Sequence, residues 1–409
     1  MLTEPRHPNS IPLWNDATPD QWNDWKWQIA HRITSAAQLE QVVRLTDDEK
    51  RTLVDSEGLF RLGITPHAAT LIDPDDPDCP MRMQSVPRYG ELFTAPWEAE
   101  DPLDEDGTSP VPGITHRYPD RILFLLTHEC SLYCRFCTRR RIVGDQQGIS
   151  TKMLDAQIGY VASHPEVRDV LISGGDPLAV PDSRLEYVIS RLRALPHVEI
   201  IRIGTRMPVV MPQRITPELV EMLRRYHPIW LNTHFNHPFE LSPPATRQAM
   251  ERLADVGIPT GNQTVLLRGI NDCPVVMREL VHALVKVRCR PYYIYACDLS
   301  EGLSHFRTPI STGVAIIEAL RGHTSGYCVP TFVVDGPGGG GKIPIMPNYI
   351  LSQGEGRVVL RNYQGKNCTY HEGPSTPLKE VCTLCGTNHS AVEHGPAAQI
   401  WRTAGGEIE

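Results

Sequence analysis

From residue 121 onward, short apolar runs alternate with amphipathic stretches, and that alternation limits the fold more than any other feature of the chain. Runs at 121–126, 168–172, 198–203, 229–232, 262–267 and 291–295 read as strands. The stretches between them carry helical spacing: Leu185, Val188, Ile189, Leu192 and Leu195 in one, Leu219, Met222, Leu223 and Tyr226 in the next, and later Val276, Leu280, Leu284 and Val287. Strand and helix alternating in this way imply a parallel sheet with helices outside it. Six such units are too few for a closed eight-stranded barrel, which leaves an open doubly wound sheet or a partial barrel. A seventh run, 331–334, leads into a glycine-rich stretch. In either architecture the site forms at the C-terminal ends of the strands. Polar clusters stand there at 130–141, 173–176, 205–206, 234–237, 268–272 and 297–298.

The flanks read differently. Residues 1–110 are polar, tryptophan-rich and broken by prolines, with helical patterns at 20–33 and 39–45 and a turn-rich loop at 73–80. A helical N-terminal extension is expected there, followed by the barrel over 111–345. Residues 346–409 form a Pro/Gly-rich tail. The net charge, 40 − 48 = −8, argues against an overall nucleic-acid binder. The longest unbroken aliphatic or aromatic run, Ile122 to Leu126, is far shorter than the ~20 residues that span a bilayer. The N-terminus shows no secretory pattern, so a cytoplasmic protein is expected, with neither membrane nor nucleic acid as partner. In that compartment eleven cysteines point to metal binding, catalysis or burial rather than to disulfides.

Three of these cysteines lie within eight residues: Cys130-Ser-Leu-Tyr-Cys134-Arg-Phe-Cys137. Soft thiolates are the usual ligands of a [4Fe–4S] cube, and a tight loop with three- and two-residue gaps can reach three of its corners. The fourth iron would be left for a small molecule. A zinc site, or a cysteine-rich loop without metal, is the alternative; zinc sites more often show two CxxC-like pairs and a closed set of four ligands. Ser173-Gly-Gly-Asp176 pairs glycines after a strand, which suits close backbone approach to a ligand as well as a plain strand-to-helix turn. Gly336-Pro-Gly-Gly-Gly-Gly341-Lys342 matches the GxxxxGK of a nucleotide-binding P-loop. However, Ile343 and Pro344 follow where a metal-ligating hydroxyl and a helix start are required, which disfavours a nucleotide hydrolase. The other reading of Lys342 is the lysine that joins pyridoxal 5′-phosphate (PLP).

The three-cysteine string resembles the CxxxCxxC motif of radical S-adenosylmethionine enzymes. The wider set resembles the lysine 2,3-aminomutase family: Thr115-His-Arg-Tyr-Pro-Asp-Arg121, Cys137-Thr-Arg-Arg-Arg141, Asn232-Thr-His-Phe-Asn-His237, Gly261-Asn-Gln263, Tyr293-Ile-Tyr-Ala-Cys-Asp298, His305-Phe-Arg-Thr-Pro309 and the Asp335 to Lys342 stretch. This resemblance covers about residues 15 to 350. It implies a partial (βα)6 TIM-like barrel and a cytoplasmic isomerase moving the α-amino group of a basic L-amino acid to Cβ. Cys130, Cys134 and Cys137 would ligate the cluster, and Ser173, Gly174, Gly175, Asp176 and Gln263 would contact S-adenosylmethionine. Lys342 would join PLP, held also by Arg117, Tyr118 and Arg121.

By the same resemblance Arg139 would bind the substrate carboxylate, and Asp298 and Asp335 the side-chain ammonium of lysine. Ala296 and Glu301 depart from many relatives and keep arginine as the alternative substrate. An electron donor such as flavodoxin or ferredoxin, and a homo-oligomer (dimer or tetramer), are further implications. The family's subunit-bridging zinc ion would use Cys273, Cys382 and Cys385, with Glu380 standing where another cysteine is usual and Cys368 or His389 as other candidates. A zinc-organised scaffold without catalysis would leave the Cys130 loop and Lys342 unexplained.

Overall fold

The computed structural model describes residues 4–55, 61–144, 148–354 and 356–373. The chain divides into two compact units, 1–347 and 348–409. The first is built on a nine-stranded sheet in strictly sequential order: β1 Ile114–Tyr118, β2 Arg121–Thr127, β3 Asp169–Gly174, β4 Ile200–Gly204, β5 Ile229–Thr233, β6 Thr260–Leu266, β7 Cys289–Ala296, β8 Thr331–Gly336 and β9 Gly341–Pro344. Strands β2 to β8 are parallel, and β1 and β9 pair antiparallel on the two edges. Six of the parallel strands are each followed by a helix, Thr151–Ala162, Asp182–Arg193, Pro217–Arg224, Pro244–Asp255, Pro274–Lys286 and Ile310–Leu320. This is the partial (βα)6 barrel that the family resemblance implies, one of the two architectures left open by the alternation, with β8 as a further strand.

The period-2 geometry of the strands separates the two faces of the sheet. In β3 to β5, Val170, Ile172, Ile201, Ile203, Ile229 and Leu231 are wholly buried. They face the helices, which return Leu185, Val188, Ile189, Leu192, Leu219 and Leu223 to the same core. Each such side chain contributes about 1.5–3 kcal/mol by leaving water. The alternate residues Asp169, Leu171, Ser173, Arg202 and Trp230 line the lumen, which is a cavity of about 660 Å³ rather than a packed core. The second unit has a three-stranded antiparallel sheet, β10 Ile350–Gly354, β11 Arg357–Arg361 and β12 Asn367–His371. No helix among the described residues is long and apolar enough to cross a membrane.

Two helical readings are corrected in the N-terminal segment. The pattern at 20–33 is broken into Pro19–Asn23 and Trp25–Ala30, because the Asp24 carboxylate accepts from Lys26 N and starts a new helix. The pattern at 39–45 is not a helix. The helix Ala36–Leu39 ends at Leu39, and tight turns bury Val42 and Val43 before Thr46, whose hydroxyl accepts from Glu49 N. The segment is fastened internally by Arg82 and Glu49, a bidentate pair at 2.6 and 2.8 Å with both side chains at most 2% exposed.

Glu49→Gln should therefore leave the Arg82 charge uncompensated and lower stability by about 3–5 kcal/mol. Asp155→Asn, which removes the exposed partner of Arg191, should change it by less than about 1 kcal/mol. Denaturant midpoints of the two variants check this ordering.

Candidate active site

The cluster loop leaves the C-terminal end of β2. Its lead-in runs against the loop after β3, where Gly175 N donates to Thr127 O and Asp176 N to Glu129 O, both at 2.7 Å. A Cβ on Gly174 would lie 2.1 Å from Thr127 O, and one on Gly175 2.2 Å from Glu129 O. Gly174 also has φ +146°, a conformation side chains rarely adopt. The paired glycines are thus required by backbone packing, and that packing sets Ser173 and Gly174 beside the three thiols. The Asp176 carboxylate is used within the protein. It accepts from Thr205 Oγ1 at 2.7 Å, Arg206 N at 2.8 Å and Leu178 N at 3.0 Å, and so ties the end of β3 to the end of β4 while lining the cavity.

Cys130, Cys134 and Cys137 all line the cavity. Burial pushes the Cys130 thiol well above its usual range and Cys137 up to about 11. Such thiols become thiolates only against a cationic partner. Among the described residues no three His, Cys, Asp or Glu side chains converge closely enough to hold a single metal ion, this trio included. Three thiols lining one cavity are the soft donor set that a [4Fe–4S] cube takes, one thiol to each of three irons. Arg206, just past β4, donates from Nη1 to Cys134 Sγ at 2.8 Å and is itself buried against Glu240 and Gln84. His234 lines the same wall, and burial, reinforced by the Arg206 and Arg139 charges, holds its pKa near 4, so it is neutral.

Lys342 is not on the glycine-rich turn but in β9, paired in register with Asp335 of β8. A β-hairpin at this point excludes the helix start that a P-loop requires. Lys342 Nζ donates to both Asp335 oxygens, at 2.9 and 3.1 Å, and lies 4.7 Å from the centre of the Tyr295 ring. Its backbone N–H donates to Tyr118 Oη at 3.0 Å. Arg121 stacks on Tyr118 at 3.9 Å. Arg117 donates from Nη2 to the Leu103 and Asp104 carbonyls, while its buried Nε has no hydrogen-bond partner among the described residues. That orphaned donor lies beside Gly339, and Tyr118 and Arg121 line the same cavity, so the group suits an anion such as the phosphate of PLP.

Asp298 follows β7. It accepts from Thr138 Oγ1 at 2.8 Å. Burial, then the Asp335 charge, raise it to about 6. Arg139 lines the cavity with both aspartates; it forms a bidentate pair with Glu105 and donates to Ser173 Oγ at 3.3 Å. Gln263, within β6, donates to Tyr295 Oη at 3.1 Å. Every residue expected at the cluster, cofactor and substrate sites therefore lines one cavity.

Cys273 does not: it is exposed at the start of the helix Pro274–Lys286, and Cys382 and Cys385 lie outside the described residues. Glu105, Thr138, Arg206 and Tyr295 belong to the cavity without having been singled out by sequence. Arg206 stands directly after a strand, and Thr138 and Tyr295 lie within strings that carry the family resemblance; Glu105 has no such signal. Ala296 and Glu301, which kept arginine open as a substrate, do not line the cavity.

Comparison with known proteins places this geometry. The radical SAM superfamily model matches residues 124–281, and the model described as lysine-2,3-aminomutase matches residues 317–393. The L-lysine 2,3-aminomutase of Clostridium subterminale is 58% identical over 374 residues, covering 91% of this chain and 90% of that protein. That of Acetoanaerobium sticklandii is 56% identical with the same coverage. The glutamate 2,3-aminomutase of Clostridioides difficile is 43% identical over 367 residues, 90% of this chain and 86% of that protein. With more than half of its residues shared across nine-tenths of its length, the chain belongs to the lysine 2,3-aminomutase family, within the radical SAM superfamily.

Proposed function

We propose that the protein is a radical S-adenosylmethionine- and PLP-dependent 2,3-aminomutase that converts L-lysine to β-lysine. The observation that carries this reading is the carboxylate pair Asp298 and Asp335, facing a cavity that also holds Arg139 and the three thiols. Two buried carboxylates are costly until a cation joins them. The cation present is the Lys342 ammonium. With Lys342 joined to PLP before substrate arrives, Asp335 lacks its internal ammonium, and the pair would attract the side-chain ammonium of a substrate. A glutamate side chain would instead meet two like charges. Lysine stands before arginine because the residues that made room for a longer cation, Ala296 and Glu301, are not in the cavity wall.

When bound, the reduced [4Fe–4S] cluster with S-adenosylmethionine supplies hydrogen abstraction at Cβ, and PLP supplies the π system across which nitrogen migrates. The protein's part is placement. Cys130, Cys134 and Cys137 hold the cluster, with Ser173, Gly174, Gly175 and Gln263 beside it. Arg117, Tyr118 and Arg121 hold the phosphate end of PLP near Lys342. Arg139 grips the substrate carboxylate, and Thr138 orients Asp298 toward the ammonium. An electron donor such as flavodoxin or ferredoxin must reduce the cluster. Cys273, Cys382 and Cys385 form the proposed zinc site of a homo-oligomer.

Anaerobically reconstituted protein should carry about four iron and four sulfide per chain. It should also show a visible PLP absorbance that Lys342→Ala abolishes. Incubated separately with lysine and arginine, it should yield the β-isomer of lysine; rearrangement of arginine alone would refute the substrate assignment. The Asp298 carboxyl, raised to about 6, is neutral below that pH and charged above it. Lysine keeps its ammonium throughout this range, with a pKa of about 10.4. KM for lysine should accordingly rise as pH falls through about 6, and Asp298→Asn should both raise KM at neutral pH and flatten that limb.

A further inference from the structure

The acidic segment Asp101-Pro-Leu-Asp-Glu-Asp106, ahead of β1, is tied to the turn before Lys342 and to Arg117, Arg139 and Arg141. Pro102 O accepts from Gly338 N at 2.9 Å, on the turn before Lys342. The Leu103 and Asp104 carbonyls accept from Arg117 Nη2. Asp101 and Asp106 pair with Arg141 at 3.3 and 3.0 Å. Between them Glu105, 13% exposed, pairs with Arg139. Asp104 has φ 51°, a left-handed conformation uncommon for a non-glycine residue. It persists because the contacts on either side determine the path of the backbone.

The pairing with Arg139 is specific in its edge. Glu105 takes the Nε–H, at 3.0 and 3.1 Å, and one N–H of Nη2, at 2.7 Å. Ser173 Oγ takes one N–H of Nη1. A guanidinium has five N–H donors, so one remains on each of Nη1 and Nη2. That remaining pair can grip a second carboxylate. Burial works to raise the Glu105 carboxyl, but the Arg139 charge and hydrogen bonds outweigh it and hold the group below the usual carboxylate range. Glu105 is therefore an anion whenever Arg139 is offered to a ligand.

We propose that Glu105 is a positioning residue for substrate recognition: it locks the Arg139 guanidinium by one edge and presents the remaining N–H groups to the α-carboxylate of the amino acid. The proposal rests on the aminomutase reading above and assigns Glu105 no contact with substrate. It also explains why the segment is anchored to Gly338 and Arg117. The same six residues that hold Arg139 are tied to Arg117 and to the turn before Lys342, so the proposed carboxylate and PLP sites share one anchor.

The test compares two ligands on the PLP-loaded protein, followed by the change in PLP absorbance. L-Lysine offers an amine, a side-chain ammonium and a carboxylate; cadaverine offers the first two only. For wild type, lysine should bind more tightly than cadaverine. Glu105→Gln, which keeps the side chain's size, should weaken lysine about tenfold, as expected for loss of a charge-assisted pair, and leave cadaverine within about twofold. Glu105→Asp, which keeps the charge on a shorter arm, should fall between the two. Equal losses for both ligands would show a general structural role and overturn the proposal. Tighter lysine binding by Glu105→Gln would overturn it too, by showing that Glu105 competes for Arg139. No absorbance response of wild type to either ligand would overturn the aminomutase reading itself, which sets that failure apart.

Discussion

One buried carboxylate, Glu91, fixes the loop that carries the three thiols. It accepts from Arg135 through Nε and Nη2, the latter at 2.6 Å, and from Arg140 Nη2 at 2.6 Å, with no exposure of its own side chain. Both cations lie on the cluster loop, one between Cys134 and Cys137 and one just beyond. Burial alone would raise the Glu91 carboxyl, but the Arg135 and Arg140 charges hold it below the usual range. Removing one partner of such a group leaves the other charge stranded in the interior, at a cost of about 3–5 kcal/mol. The N-terminal segment is therefore part of the site. Further backbone ties from it reach the same loop, with Tyr133 N donating to Gly63 O and Arg135 N to Gln84 O. Arg32 donates to Cys130 O at 2.6 Å.

A loop held in this way needs a wide lumen beside it, and the strands supply one. Their outer residues are aliphatic and buried, whereas their inner residues include Ser173, Arg202, Trp230, Gln263 and Tyr295. An open sheet flanked by β1 and β9 leaves room for ligands where a closed eight-stranded barrel would be filled with side chains.

This division explains what the sequence makes legible. Strand and helix positions follow from local periodicity, and all seven parallel strands fall within a few residues of the apolar runs. The three closely spaced cysteines and Lys342 stand out as candidates by residue type and spacing. Glu91, Gln84 and Glu105 do not, because their partners stand 44, 122 and 34 residues away and no local pattern encodes those pairings. The misreading at 39–45 has the same origin. Leu39, Val42 and Val43 carry helical spacing, yet they are buried by turns that the surrounding packing imposes. Lys342 was legible in kind but not in place. Its meeting with Asp335 is a consequence of hairpin register, and a one-residue slip would turn the two side chains to opposite faces.

The charges of the cavity share a common design. Arg139 is matched by Glu105, Lys342 by Asp335, and Arg206 by Glu240, so these three cations have an internal anion before any ligand arrives. Asp298 relies on a neutral donor, Thr138, as Asp176 does on Thr205, and burial raises both carboxyls, with the Asp335 charge adding to it at Asp298. A cavity prepared in this way avoids most of the desolvation penalty that isolated buried charges would impose. On the proposed function, an incoming basic amino acid would complete the hydrogen bonding of Arg139 and bring an ammonium to the two aspartates. On that same reading, selectivity for a cationic side chain would follow from Asp298 and Asp335, the pair that Lys342 faces in the protein alone.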